Sequence, residues 1–226
     1  MEKFRKAVRQ SGMLVCSAKT VRDYDQIACT PSTLVTEKMP DRTLSADMRL
    51  IPDVRLVNNF RDKEDYPQCA HPTLTDLATR VAYLDRCFPG VPRRVTKRDV
   101  VDAFERVSTH PDCVAILRTE FSGQGLGLEY DLIFMWMALP FGWSSSPGYV
   151  QASAGPVAFL HCLRKPVSPI DGSLAFASHM FVDGAMIIDV DLPDRLEQSA
   201  RVWDQFCETV LDDGSVSGKK KEVEGD

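Results

Sequence analysis

The sequence predicts an α+β fold, and three observations carry that reading. Amphipathic helical stretches stand near 74–88 and 193–210, separated by more than a hundred residues. Between them, runs rich in β-branched and aromatic residues cluster from 93 to 142. "HMFVDGAMIID" (179–189) then reads as two short apolar strands meeting at Asp183-Gly184, a strong two-residue hairpin signal when both central residues take φ > 0. Helix, three strands, helix, hairpin, helix is an α+β order.

Residues 1–50 are mixed and weakly patterned, and 1–34 form an ill-defined N-terminal extension. "DVRLVNNF" (53–60) has the composition of a strand entering a loop. In "PTLTDLATRVAYLDRCF", Leu74, Leu77, Val81, Leu84 and Phe88 recur at helical spacing, and Thr73 with Asp76 forms a capping-box pattern. Gly90 and Pro92 stop that helix. "RRVTKRDV" (93–100), "CVAILRTEF" (113–121) and "YDLIFMWMALPFG" (130–142) are β-like. "SSPGYVQASAGPVAFLHCLRK" is helical, with Pro156 expected to kink or divide it. In the last helix Leu196, Ala200, Trp203, Phe206 and Val210 form the apolar stripe, and Pro193 sits in the permissive first turn.

Composition excludes several function classes. The chain has 27 basic and 32 acidic residues, net charge −5, so nucleic-acid binding would have to come from local patches. The 7 cysteines are odd in number and never spaced C-x-x-C, which supports neither a zinc site nor a disulfide framework. A reducing, intracellular setting (cytoplasm or nucleus) is therefore expected, not secretion. The longest uncharged apolar run, "LIFMWMALPFGW", falls short of the roughly 18–20 residues of a membrane span. "GQGLG" lacks the Lys-Ser/Thr of a phosphate loop, and "GWSSSPG" has Ser146 where a nucleophile elbow needs Gly.

Three stretches matter together: "RDVVDAF" (98–104), "LPFGWSSSPGYVQ" (139–151) and "MFVDGAMI" (180–187). In that order they resemble the D-x-x-x-A-F/Y, L-P-F-G…S-P…Q and Y/F-x-D-D motifs of retrotransposon reverse transcriptases. "VRLVNNFRD" (54–62) resembles the fingers strand of these enzymes, and "SGKKKEVEG" (217–225) the lysine-bearing segment after the palm. The resemblance runs from about residue 35 to the end. It implies the fingers and palm of a polymerase right hand, with a mostly antiparallel palm sheet packed on helices. Residues 35–98 would be fingers and 99–226 palm, with fingers strands inserted at about 113–140. The thumb and RNase H regions would lie outside this chain.

The same resemblance implies RNA-directed DNA polymerase activity, in which dNTP is added to a primer 3′-end on an RNA or DNA template. The expected cofactor is Mg²⁺ or Mn²⁺, a pair of ions serving the primer hydroxyl and the triphosphate. Asp99, Asp183 and the carbonyl of Val100 would hold metal, and Lys220 would protonate the pyrophosphate. Arg55 would meet the triphosphate. Asp102 and Ala103 would offer backbone N–H groups, Phe104 would exclude a 2′-hydroxyl, and Gly142 would admit the nucleotide closely.

One departure stands out. Where the family turn carries two aspartates, this chain has Asp183-Gly184, and Asp189 lies too far along the strand to substitute. The alternative is a catalytically inactive palm that binds nucleic acid or serves structure. Taken singly, each motif has a plainer reading. Asp99 would be a strand-end residue, Phe104, Phe141 and Trp143 core aromatics, and Arg93, Arg94, Lys97 and Arg98 either phosphate contacts or a solvated face.

Overall fold

The computed structural model describes residues 8–9, 12–21, 30–38, 43–59, 62–124, 127–166, 174–216 and 222–225. Small antiparallel sheets and several helices make it a mixed α/β architecture, as an α+β order predicts. The chain divides into two compact units that interleave in sequence. One combines Met1–Tyr66 with Phe104–Ser146, the other Pro67–Ala103 with Pro147–Asp226.

The first unit holds two sheets. In one, β6 (Leu132–Trp136) lies between β1 (Met13–Ser17) and β5 (Arg118–Phe121), all antiparallel. The short α1 (Ala18–Val21) closes over it, with Ala18 and Val21 packed on Ile133. The other sheet is the ribbon β2 (Ser32–Lys38) and β3 (Leu44–Pro52), whose register shifts between Thr36 and Lys38. The strand expected at 53–60 is displaced. The extended segment ends at Pro52, and α2 (Arg55–Asn59) is a helical turn. Asp53 starts it by accepting from the Arg55 backbone N–H at 3.3 Å, the local competition with extended structure that Asp favours. The run at 113–121 is likewise split, into α3 (Pro111–Val114) and β5.

The second unit is built on one four-stranded antiparallel sheet. Its order is β7 (Ser178–Phe181), β8 (Gly184–Val190), β4 (Arg93–Asp99), β9 (Glu222–Gly225). Strand alternation puts Arg94, Thr96 and Arg98 with Asp189, Ile187 and Ala185 on one face, and Val95, Lys97 and Asp99 with Ile188, Met186 and Gly184 on the other. The capping box forms as the sequence predicts at the start of α4 (Leu74–Cys87). Thr73 Oγ1 accepts from the Asp76 N–H, and Asp76 Oδ2 accepts from the Thr73 N–H at 2.7 Å. The apolar side of α4, through Leu77, Val81 and Leu84, covers Val95, Ile188 and Val190.

Helix α5 (Ser146–Cys162) runs unbroken through Pro156. The lost hydrogen bond is offset by burial of Val150, Ala154 and Val157 along the helix. Helix α6 (Arg195–Leu211) places Trp203, Leu196 and Ala200 in the core. Pro193 lies just outside it, because Asp194 is the N-cap.

A buried ion cluster locks this unit, and nothing local in the sequence announces it. Asp189 is fully buried and accepts from Arg195 Nε at 2.7 Å, while Arg80 Nη2 stands 3.8 Å from the same oxygen. Arg195 also donates to the Leu174 carbonyl and lies over the rings of Phe88 and Phe176. Beyond Ile187, the last residue of β8 paired with β7, Arg80 Nε donates to the Ile188 carbonyl and so satisfies a buried carbonyl that β7 leaves unpaired.

Candidate functional site

The hairpin differs in detail from the expectation. Phe181 pairs with Gly184, so the two loop residues are Val182 and Asp183, and neither Asp183 nor Gly184 takes positive φ. Glycine is demanded here by proximity. A Cβ at 184 would lie 2.8 Å from the Arg98 carbonyl oxygen of the neighbouring strand. The primed turn that Asp-Gly suggests is overridden by the pairing of β8 with β4.

That pairing assembles part of the predicted site. Asp99, the last residue of β4, is directly opposite Gly184, the first of β8. The Val100 N–H donates to the Asp183 carbonyl at 2.7 Å, and the Val101 N–H to the Ser215 carbonyl at 2.8 Å, so the strand end is pinned on both sides. Asp183 is exposed and Asp99 half-buried. Lys97, Asp99, Phe181, Gly184 and Met186 line a depression of about 380 Å³. Asp102 follows at φ 50, a left-handed conformation that Asp tolerates, and Ala103 is buried.

Arg55, Phe104 and Gly142 belong to the first unit. Arg55 is 87% exposed and grips Asp53 through Nε at 2.7 Å and Nη2 at 2.5 Å. The hydrogen bonds from Arg55 hold the Asp53 carboxyl below the usual range. The Phe104 ring packs on Phe141, centroids 4.6 Å apart. Gly142 has φ 92, so glycine is required there by backbone conformation. Asn58, which sequence reasoning passed over, clamps this turn by donating to the Gly142 carbonyl at 2.9 Å and accepting from the Ser144 N–H at 3.0 Å. Lys220 lies outside the described residues.

The basic segment is largely consumed by ion pairs. Arg93 pairs with Asp85, Arg94 with Asp191 and Glu197 at 3.4 Å each, and Arg98 with Asp204 at 3.3 Å. These arginines are therefore not the solvated face that the plainer reading expects: they tie β4 to its flanking helices and to the residues just after β8, and the Arg98 side chain is only 9% exposed.

Asp99 and Asp183 are two carboxylates on adjoining backbone. That number suits one Mg²⁺, which takes one or two carboxylates and fills its shell with waters and phosphates. Two shared carboxylates can also bridge a pair of such ions, and among the described residues no group of three or more His, Cys, Asp or Glu side chains could hold a metal. Among the described residues, too, no helix is long and apolar enough to cross a membrane. No protein-family model matches the chain, and no curated protein matches it significantly.

Proposed function

We propose that this chain is the fingers–palm module of a retrotransposon-type reverse transcriptase whose template-directed addition of dNTP to a primer 3′-end is weakened by loss of one turn carboxylate. The observation that supports this reading best is the register of β4 on β8. It sets the strand-end Asp99 opposite the hairpin tip that carries Asp183, and it joins two motifs far apart in sequence. Asp99, Asp183 and the Val100 carbonyl would hold a pair of Mg²⁺ or Mn²⁺ ions, which when bound supply activation of the primer hydroxyl and charge neutralisation for the triphosphate. Asp102 and Ala103 would present backbone N–H groups to phosphate, Arg55 would meet the triphosphate, and Phe104 would face the sugar. RNA or DNA primer–template and dNTP are the partners this reading requires.

A second reading is supported by Gly184 itself. Because the Arg98 carbonyl occupies the space a side chain would need, the tip has packed around glycine, as expected of a palm kept for binding or structure and not for catalysis. Primer extension separates the two. The wild-type chain should extend a primer on RNA feebly in Mg²⁺, and Asp183→Asn should abolish the product. If neither the wild type nor a folded, primer–template-binding Gly184→Asp protein adds nucleotide in Mg²⁺ or Mn²⁺, the second reading is correct.

A further inference from the structure

Within the first unit, the turn at 140–146 closes on itself. Ser146 donates through its N–H to the Trp143 carbonyl at 3.1 Å and through its hydroxyl to the Pro140 carbonyl at 2.9 Å. Trp143 is buried and meets Tyr66 edge-on. These contacts shape the turn without involving α2. Asn58 acts differently, because its carboxamide reaches from α2 to both sides of the turn. Nδ2 donates to the Gly142 carbonyl at 2.9 Å and Oδ1 accepts from the Ser144 N–H at 3.0 Å. A carboxamide holds a donor and an acceptor side by side on one planar head, which a carboxylate cannot.

The base on which Asn58 stands is firm. Val54 and Val57 are buried, and the Asn58 N–H donates to the Val54 carbonyl at 2.8 Å. The Gly142 backbone lies against that base, since a Cβ there would be 3.5 Å from Ile51 and 3.6 Å from Val54. Arg55 stands on the same short helix, three residues before Asn58 and so beside it on the helix surface. In the turn, Phe141 precedes Gly142 and supports the Phe104 ring, centroids 4.6 Å apart. Asn58 therefore joins the element that bears Arg55 to the element that supports Phe104.

We propose that Asn58 is a positioning residue for nucleotide selection, fixing Arg55 and the Phe104 ring relative to each other and so setting the preference for dNTP over rNTP. The inference rests on the reading that Arg55 meets the triphosphate and Phe104 the sugar. A ring excludes a 2′-hydroxyl only if it cannot retreat. Phe104 leans on Phe141, and the Asn58 clamp holds the backbone beside Phe141 to α2. Without the clamp the turn keeps its own shape through Ser146 but shifts on α2, and the wall yields to a ribose.

The test is titration of the full chain, loaded with a dideoxy-terminated primer on an RNA template in Mg²⁺, with the complementary dNTP or rNTP, read from the Gly142 and Ser144 amides by NMR. The wild type should bind dNTP more tightly than rNTP. Asn58→Ala should weaken dNTP binding roughly tenfold, as two lost hydrogen bonds imply, and bring the two affinities together. Asn58→Asp, which can still accept from Ser144 but cannot donate to Gly142, should fall between. Exchange of the Ser144 amide should quicken in Asn58→Ala and not in Asn58→Asp. Should Asn58→Ala fail to fold, the Asn58→Asp comparison decides. A wild type that binds neither nucleotide overturns the dNTP reading, one that binds both equally overturns the sugar role of Phe104, and this proposal falls with either. A wild type that discriminates, with an unchanged dNTP-to-rNTP ratio in the folded Asn58 variants, overturns the positioning role alone.

Discussion

At the scale of single residues, Gly184 and His161 show how a neighbour across the fold decides what a side chain can do. Adding only a methyl group at 184 drives it into the Arg98 carbonyl, 2.8 Å away, and overpacking of this kind costs about 1–3 kcal/mol. Gly184→Ala should therefore lower the urea midpoint, and Gly184→Asp should lower it at least as far. A Gly184→Ala midpoint equal to wild type would mean that β4 and β8 part easily. His161 is fully buried, stacked on Phe176 and bonded through Nε2 to the Ser199 carbonyl at 3.0 Å. Burial pushes its pKa from 6.5 down to about 4. Between those values the unfolded chain takes up a proton that the folded chain refuses. Stability should therefore fall as pH drops from about 6.5 to about 4, by at most of order 3 kcal/mol from this group. His161→Gln, which keeps an N–H donor but cannot titrate, should flatten that slope in denaturation curves taken across the interval.

At the scale of elements, β4 is held by its arginines to carboxylates around it, and this bears on nucleic-acid binding. Because Arg93 and Arg94 are engaged by Asp85, Asp191 and Glu197, replacing both with Ala should leave the salt dependence of primer–template binding unchanged. Each lost phosphate contact would reduce the log–log slope by roughly 0.9, so a decrease near two would show that both arginines reach the backbone. The elements also show what the sequence disclosed and what it hid. Thr73 and Asp76 cap α4 through contacts three residues apart, and the stripe of α6 follows a helical period; such signals are complete within a single turn. The helical turn at Arg55–Asn59, by contrast, replaced an expected strand, because a local Asp53–Arg55 contact outweighed β-like composition. Asp99 and Asp183 were legible as motif residues. Asn58, Arg80, Asp189 and Arg195 were not, since their roles depend on partners distant in sequence, the Arg80 donor and the Ile188 carbonyl being 108 positions apart.

At the scale of the whole molecule, the two units exchange the chain three times, after Tyr66, Ala103 and Ser146. Each unit's main sheet therefore joins an early strand to a late one: β1 pairs with β6, and β4 with β8. Fragments 1–103 and 104–226 should each fail to fold alone, because every division at that point strips a central strand from its partner. Loss of dispersed amide signals in both fragments, regained on mixing, is the expected NMR result. A well-dispersed spectrum from either fragment by itself would show that the interleaving is not essential.

The β1–β6 pairing has a further consequence during synthesis. Cys16 and its partner Ile133 are 117 positions apart. At about 5–20 residues per second, β1 must wait on the order of ten seconds on the ribosome before the strand it pairs with has been made. Until then its apolar residues Met13, Leu14 and Val15 have no strand to pair with and stay uncovered, the kind of nascent segment that chaperones capture.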